Sequence, residues 1–211
     1  MAVFDPDNIV WRPIGKFGDV VFLSLFWLVC SLPLVTLGPA SAALYRAVVQ
    51  CVRGDRKDSW ALFFHTFREN LKVGCLATLA VLAAGAALFF LHGTAYQMAS
   101  ADEGWYLFYL CYTFLLLLPL GLAGYLFPTL SQFTFGVGGL LSNCAKLALV
   151  HPLTTLALGL ELWAAAEVTL RVPYLAAFFL PALTALFQSL FLERIFRPYI
   201  QAQREADREE P

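Results

Sequence analysis

The chain has 211 residues, of which 60% are hydrophobic and only 14% are charged, and its net charge is −1. Soluble domains carry about one quarter charged residues, so this composition excludes an ordinary water-soluble globular protein. The near-neutral charge indicates no nucleic-acid partner, because nucleic-acid binding needs a basic surface. We therefore predict an all-α, polytopic helical membrane protein whose surroundings are a lipid bilayer.

The first apolar run begins at Val20 and predicts a membrane span over about Val20–Gly38, with a break in the helix at its exit. Carbonyl groups freed by such a break can coordinate a cation, whereas the structural alternative is a simple kink. Ala40-Ser41-Ala42 looks like a signal-peptidase site, but the run is too long for a signal peptide, so we expect the span to be retained. The residues of the break are Pro33, Thr36, Gly38 and Pro39.

Residues 39–72 predict a helical connector on the cytoplasmic side, and its second part is amphipathic. Aromatic residues share one face of this interfacial helix, with His65, Arg68 and Glu69 on the other face. The aromatic side can lie against lipid or pack on the ends of neighbouring helices. Its candidate partner-docking residues are Trp60, Phe63, Phe64, Phe67 and Asn70.

Four further apolar runs are each long enough to cross a bilayer, which gives five predicted spans in all. A charged cytoplasmic tail, residues 193–211, follows the last of them. The order of span, proline, interfacial helix and span occurs twice along the chain, and the two interpretations are a weak internal repeat and chance similarity among apolar segments. The four runs are Val73–Leu91, Trp105–Phe127, Leu153–Leu170 and Tyr174–Leu192.

The distribution of basic residues predicts the orientation of the spans. No Lys or Arg occurs between His92 and Gly104, whereas the segment from Arg46 to Lys72 carries six. Cytoplasmic loops are richer in Lys and Arg, so we expect the N-terminus outside and the C-terminus in the cytoplasm. Arg12 would then lie on the outer side, against the rule. The six basic residues are Arg46, Arg53, Arg56, Lys57, Arg68 and Lys72.

Glu161 lies about midway along the fourth predicted span. An ionised carboxylate at that depth costs several kcal/mol unless it is paired, protonated or hydrated. The functional interpretation is a group that binds a proton, a cation or a polar substrate. The structural interpretation is a protonated carboxyl that hydrogen-bonds a neighbouring helix, along a ridge of Ala157, Glu161 and Ala165.

Residues that could carry enzyme chemistry are few and scattered. The three His residues are far apart in sequence, and the five Cys residues form no C-x-x-C pair. Neither H-E-x-x-H nor G-x-S-x-G occurs, and no glycine-rich phosphate loop precedes a lysine. We expect no enzyme activity, no cofactor and no metal site, and we expect the cysteines to be small buried thiols.

Several segments together resemble the YesL family of small bacterial integral membrane proteins, whose activity is not established. The chain departs from the family pattern at two positions. Ser24 stands where the pattern has an asparagine, and Cys144 separates Asn143 from Ala145. The resemblance implies a bacterial inner-membrane location and, from the sugar-uptake genes that neighbour family members, a helper role in carbohydrate import. The segments are Trp27, Ser31–Tyr45, Phe63–Asn70, Tyr125–Pro128 and Asn143–Leu149.

Two functions therefore stand as expectations. The first is an accessory or assembly partner in carbohydrate uptake, which binds a sugar-transporter permease. The second is a small secondary transporter or channel, acting alone or as a homo-oligomer, that uses Glu161 and the helix break between Pro33 and Pro39.

Overall fold

The computed structural model describes residues 11–54 and 58–209, with the side chains of residues 16–54, 58–174, 176–201 and 205. These residues form helices and no strand. Two 3₁₀ turns, Leu34–Thr36 and Glu103–Trp105, and one π-helical stretch, Val48–Arg53, accompany the α-helices. The α-helices are α1 Trp11–Cys30, α2 Leu37–Ala47, α3 Ser59–Glu69, α4 Leu71–Ala101, α5 Tyr106–Leu115, α6 Leu117–Gln132, α7 Val137–Val150, α8 Pro152–Arg171 and α9 Pro173–Glu209.

Four helical segments of the described chain are long and apolar enough to cross a membrane. At most 33% of the residues in their apolar windows are buried inside the protein, so most of these side chains point outward. Apolar residues face outward in this way when lipid is the solvent. The last four predicted spans are thus confirmed as helices of a polytopic all-α protein. The four segments are Leu71–Ala101, Glu103–Gln132, Pro152–Arg171 and Ala176–Gln201.

The first of the five predicted spans is not among these four segments. Helix α1 begins at Trp11 and ends at Cys30, so the prediction of helix through Gly38 is wrong. Pro33 has no N–H to donate to the carbonyl of Val29, so the ladder of helical hydrogen bonds stops there. A 3₁₀ turn over Leu34–Thr36 follows, and a new helix starts immediately after it. The break was expected, but it comes before the end of the apolar run.

Helix α2 lies in the centre of the protein. Eight of its eleven residues are buried, and it contacts α1, α3, α4, α6 and α9. Five of these eight buried residues are Gly or Ala, which lets neighbouring helices approach closely. The first part of the predicted connector is therefore a core element, whereas α3 keeps one exposed side.

The chain reverses direction between α1 and α2. Trp27 near the end of α1 donates its indole N–H to Ser41 in α2 over 3.0 Å. Asp19, farther back along α1, accepts a 2.8 Å hydrogen bond from the hydroxyl of Ser59 at the start of α3. After the break the chain therefore runs back along α1. The break at Pro33 is thus the turn of a hairpin between packed helices.

Candidate functional site

Side-chain hydroxyls satisfy the carbonyl groups that the α1–α2 break frees. The Thr36 hydroxyl lies 2.6 Å from the carbonyl oxygen of Cys30 and 2.7 Å from that of Pro33. Ser31 donates in the same way to the carbonyl of Trp27 over 2.6 Å. Helix ends leave such acceptors without intrahelical partners, so these contacts stabilise the turn. The polar groups at the break serve its own closure.

Gly38 and Pro39 form a tight joint with helix α4. The backbone N–H of Gly38 donates to the Thr78 hydroxyl over 3.0 Å, and that hydroxyl donates to the carbonyl of Gly74 over 2.7 Å. A Cβ atom on Gly38 would collide with the Thr78 hydroxyl and would lie 2.8 Å from the Phe127 ring. Gly38 and Pro39 thus hold α2 and α4 together at van der Waals distance.

Helix α3 divides its aromatic residues between two sides, which corrects the prediction of a single aromatic face. Phe63 is fully buried, and its ring contacts Phe26 of α1 at a centroid distance of 6.1 Å. Phe67 is half-buried and stacks on Phe63. Trp60, by contrast, is 63% exposed, and Phe64 is exposed beside it. Only the latter two can meet another molecule.

The outer face of α3 is an open, shallow groove that combines aromatic and charged groups. Glu69 pairs with His65 at 3.2 Å and with Arg46 of α2 at 3.8 Å. The contact between Glu69 and Arg46 ties the charged edge of this surface to the buried helix α2. We call this surface the α3 groove, and its lining residues are Trp60, Ala61, Phe64, His65, Arg68 and Glu69.

Asn70 belongs to the framework of the connector. Its side-chain amide donates to the carbonyl of Thr66 over 3.0 Å, and its own backbone closes α3 and opens α4. An Asn at such a corner satisfies helix-end groups that would otherwise lack partners. Asn70 therefore lies next to the α3 groove without lining it.

Glu161 lies at the middle of α8, as predicted, and its surroundings are sparse in polar groups. Neither carboxylate oxygen is accessible to solvent, and neither has a hydrogen-bond partner. The side chain of Gln188 on α9, which is 9% exposed, faces this carboxyl without reaching hydrogen-bonding geometry. The predicted ridge of small residues is not the closest contact of α8. Gly159 is the residue that lets α8 meet the backbone of Leu117 on α6.

A second polar group, which the sequence analysis missed, lies where α2 and its π-helical extension meet α9. Arg53 donates to the backbone oxygen of Ser189 over 2.8 Å and to its hydroxyl over 2.9 Å. Gln132 donates to Glu193 over 3.4 Å, and Glu193 lies beside the buried phenol of Tyr45. The signal that could have found it is the pair Gln188-Ser189 within an apolar span.

The phenol of Tyr45 lies in the core, and its pKa differs from that of an exposed tyrosine. The side chain is 1% exposed, and burial, followed by the nearby charge of Glu193, raises the pKa of Tyr45 well above its ordinary value. The positive charge of Arg53 acts in the opposite direction. An ordinary phenol is already neutral at physiological pH, so the raised pKa only widens the pH range over which Tyr45 is uncharged.

The cysteines are less uniform than predicted. Cys51 and Cys144 are buried, but Cys111 is exposed. Within the described part of the chain, no three His, Cys, Asp or Glu side chains come together as metal ligands would.

These features define the class of protein as an all-α polytopic membrane protein whose polar groups mainly close helix joints. Residues 20–90 match the model of a family described as a protein of unknown function, DUF624. The matched region contains the α1–α2 break, the Gly38 joint and all of α3. No curated protein and no solved structure showed significant similarity to the chain.

Proposed function

We propose that this is a YesL-like accessory or assembly protein of carbohydrate uptake in the bacterial cell membrane, and that it binds a transporter permease. The observation that carries the proposal is the exposed Trp60 on a helix whose other side is fixed in the core. Exposed tryptophan with neighbouring arginine is typical of the residues that dominate protein–protein contacts. The resemblance of the α1–α4 region to the YesL family supports the choice of partner.

An orientation with α3 and the C-terminus in the cytoplasm fits this role, because four crossing segments follow α3 and return the chain to the same side. The expected position of the N-terminus outside would need α1 to cross as well, whereas α1 is not among the four segments and the start of α3 lies beside Asp19 in the middle of α1. Arg46, Arg68 and Lys72 all lie near the junction of α3 and α4, whereas the turn between α4 and α5 carries Asp102 and Glu103. Positively charged residues favour the cytoplasmic side. Two basic residues of the same segment, Arg56 and Lys57, lie outside the described residues. The α3 groove would then face the cytoplasmic ends of a partner's helices.

The proposal is tested by affinity purification of the tagged protein from native membranes in mild detergent, with mass spectrometry of the co-purifying proteins. We expect a permease in stoichiometric amount with the wild-type protein and its loss with Trp60→Ala. Trp163→Ala is the matched control, because Trp163 on α8 is similarly exposed, at 56%. Purification of the protein alone, or equal permease recovery with Trp60→Ala, would contradict the proposal.

A second candidate, a small transporter or channel, is favoured by one observation, the unpartnered carboxyl of Glu161 inside α8. The helix break adds less to this candidate, because Thr36 already contacts two of its freed carbonyls. Solute flux into liposomes tests it. Flux that disappears with Glu161→Gln and persists with Glu167→Gln, a half-buried residue on the same helix, would support a transporter.

A further inference from the structure

Glu161 occupies a position where charge is costly and where little around it compensates. Helix α8 packs against α6, α7 and α9, and the one polar side chain that faces the carboxyl is Gln188 of α9. Among the described residues the carboxyl takes part in no ion pair and no hydrogen bond. An ionised carboxylate without a partner in such surroundings is strongly disfavoured, whereas the protonated acid can donate to an amide.

A row of polar side chains on α9 begins with the residue after Gln188, whose own side chain points about 100° away from the face of that row. Ser189, Glu193, Arg197 and Gln201 follow one another at intervals of four residues, so they share one helical face. Ser189 is buried, and its hydroxyl accepts a hydrogen bond from the guanidinium group of Arg53. Most of the surrounding helix surface is apolar, which makes this row distinct.

The row ends at the surface of the protein. Glu193, Arg197 and Gln201 line an open depression together with Ile200. Gln132 at the end of α6 reaches Glu193 at the same place. Side chains that can donate or accept hydrogen bonds therefore extend from next to Glu161 to water at the end of the bundle where α6 ends. We call Gln188 together with this row, from Ser189 to Gln201, the α9 polar row.

We propose that Glu161 is a reversible proton-binding site that exchanges its proton with water along the α9 polar row. Uptake of a proton neutralises the carboxyl and lets its O–H donate to the amide oxygen of Gln188. Loss of the proton leaves a carboxylate that the same amide can stabilise through its N–H₂ group. The inference goes beyond the partner role, and it would supply the coupling ion if the transporter candidate holds.

The other charged groups near the row keep separate partners. Arg53 is held by Ser189, and Glu193 is held by Gln132 and lies next to Tyr45. None of these contacts includes Glu161. A change in the protonation of Glu161 can therefore be measured without dismantling the contacts at the surface end of the row.

Reaction with a hydrophobic carbodiimide tests the site, since the reagent modifies protonated carboxyls in apolar surroundings. The protein is reconstituted in lipid vesicles, treated over a series of pH values, and mapped by peptide mass spectrometry. We expect modification of Glu161 that falls at least tenfold as pH rises and that is absent in Glu161→Gln. Glu167→Gln should react as the wild type does. Modification that is independent of pH, or no modification of Glu161 at any pH, would overturn the proposal.

The direction of access is tested in membrane vesicles of opposite orientation with different pH on their two sides. Modification of Glu161 should follow the pH on the side where α9 ends, and Gln188→Leu should slow its response to a pH jump several-fold. Modification that follows the pH of the opposite side would overturn the α9 polar row as the route. The wild-type measurement decides this alone if Gln188→Leu does not fold.

Discussion

Gly38 shows how one residue sets the distance between two helices. Its N–H is one of the donors that a helix start leaves without an intrahelical partner, and the Thr78 hydroxyl accepts it inside the protein. The same hydroxyl donates a hydrogen bond to the carbonyl of Gly74. Any side chain on Gly38 would separate these groups, so size and hydrogen bonding are linked at one point.

Replacing Gly38 by Ala should therefore lower the free energy of unfolding by about 1–3 kcal/mol, the usual cost of overpacking a core. The measurement is reversible unfolding in mixed detergent micelles. Gly85→Ala on α4 is the control, because nothing lies within 4 Å of a Cβ there. That variant should keep its stability within about 1 kcal/mol. Equal stability of the two variants would contradict the tight joint.

The hydrogen bonds of the same joint can be tested separately from its size. Thr78→Val keeps the shape but removes the hydroxyl, which leaves the buried N–H of Gly38 without an acceptor and should cost about 1–3 kcal/mol. Thr78→Ser keeps the hydroxyl and should retain more stability than Thr78→Val in the same unfolding measurement. A valine variant as stable as the serine variant would show that this hydroxyl is dispensable.

At the scale of the element, α3 has a buried side that packs in the core and an exposed side that we propose for recognition. Its amphipathic pattern was visible in the sequence, and helix Ser59–Glu69 is where it was expected. Which aromatic residue would point inward was not predictable, because Trp60, Phe63 and Phe64 are equally apolar by pattern. The choice depends on how α3 packs on α2 and α1, and Phe26 of α1 contacts both Phe63 and Phe64.

The two sides of α3 should respond differently to truncation. Phe63→Ala should lower the free energy of unfolding by about 3–5 kcal/mol, since it empties a fully buried site. Trp60→Ala should change it by no more than about 0.5 kcal/mol, because its side chain is exposed. Unfolding curves of both variants in the same micelles decide the point. A large loss of stability with Trp60→Ala would show that this residue stabilises the fold, and it would contradict a role in recognition alone.

At the scale of the whole molecule, the spans were predictable and their packing was not. Four apolar runs matched helices because length and apolarity alone define a span. The central position of α2 was missed, since residues 39–72 were expected to form a connector on the cytoplasmic side. Helix α2 is instead buried, and Arg53 of the π-helical stretch that follows it reaches the backbone of α9. Similarly, Glu161 could be located in the sequence, but its neighbour Gln188 could not be identified.

The proposed orientation predicts which turns face the same side of the membrane. In a variant without native cysteines, Asp102→Cys should react with a membrane-impermeant thiol reagent added outside intact cells. Gly136→Cys, in the exposed turn between α6 and α7, should react only after the cells are opened. Trp60→Cys should behave as Gly136→Cys does. The opposite pattern would reverse the orientation and place the α3 groove outside.

The central claim is that the α3 groove binds a permease, and site-specific photo-crosslinking in native membranes tests it most directly. A photoreactive amino acid at position 60 should crosslink to a transporter permease, identified by mass spectrometry. The same amino acid at position 163, which is also exposed, should not do so. Crosslinks from position 60 only to lipid or to a second copy of this chain would contradict the claim.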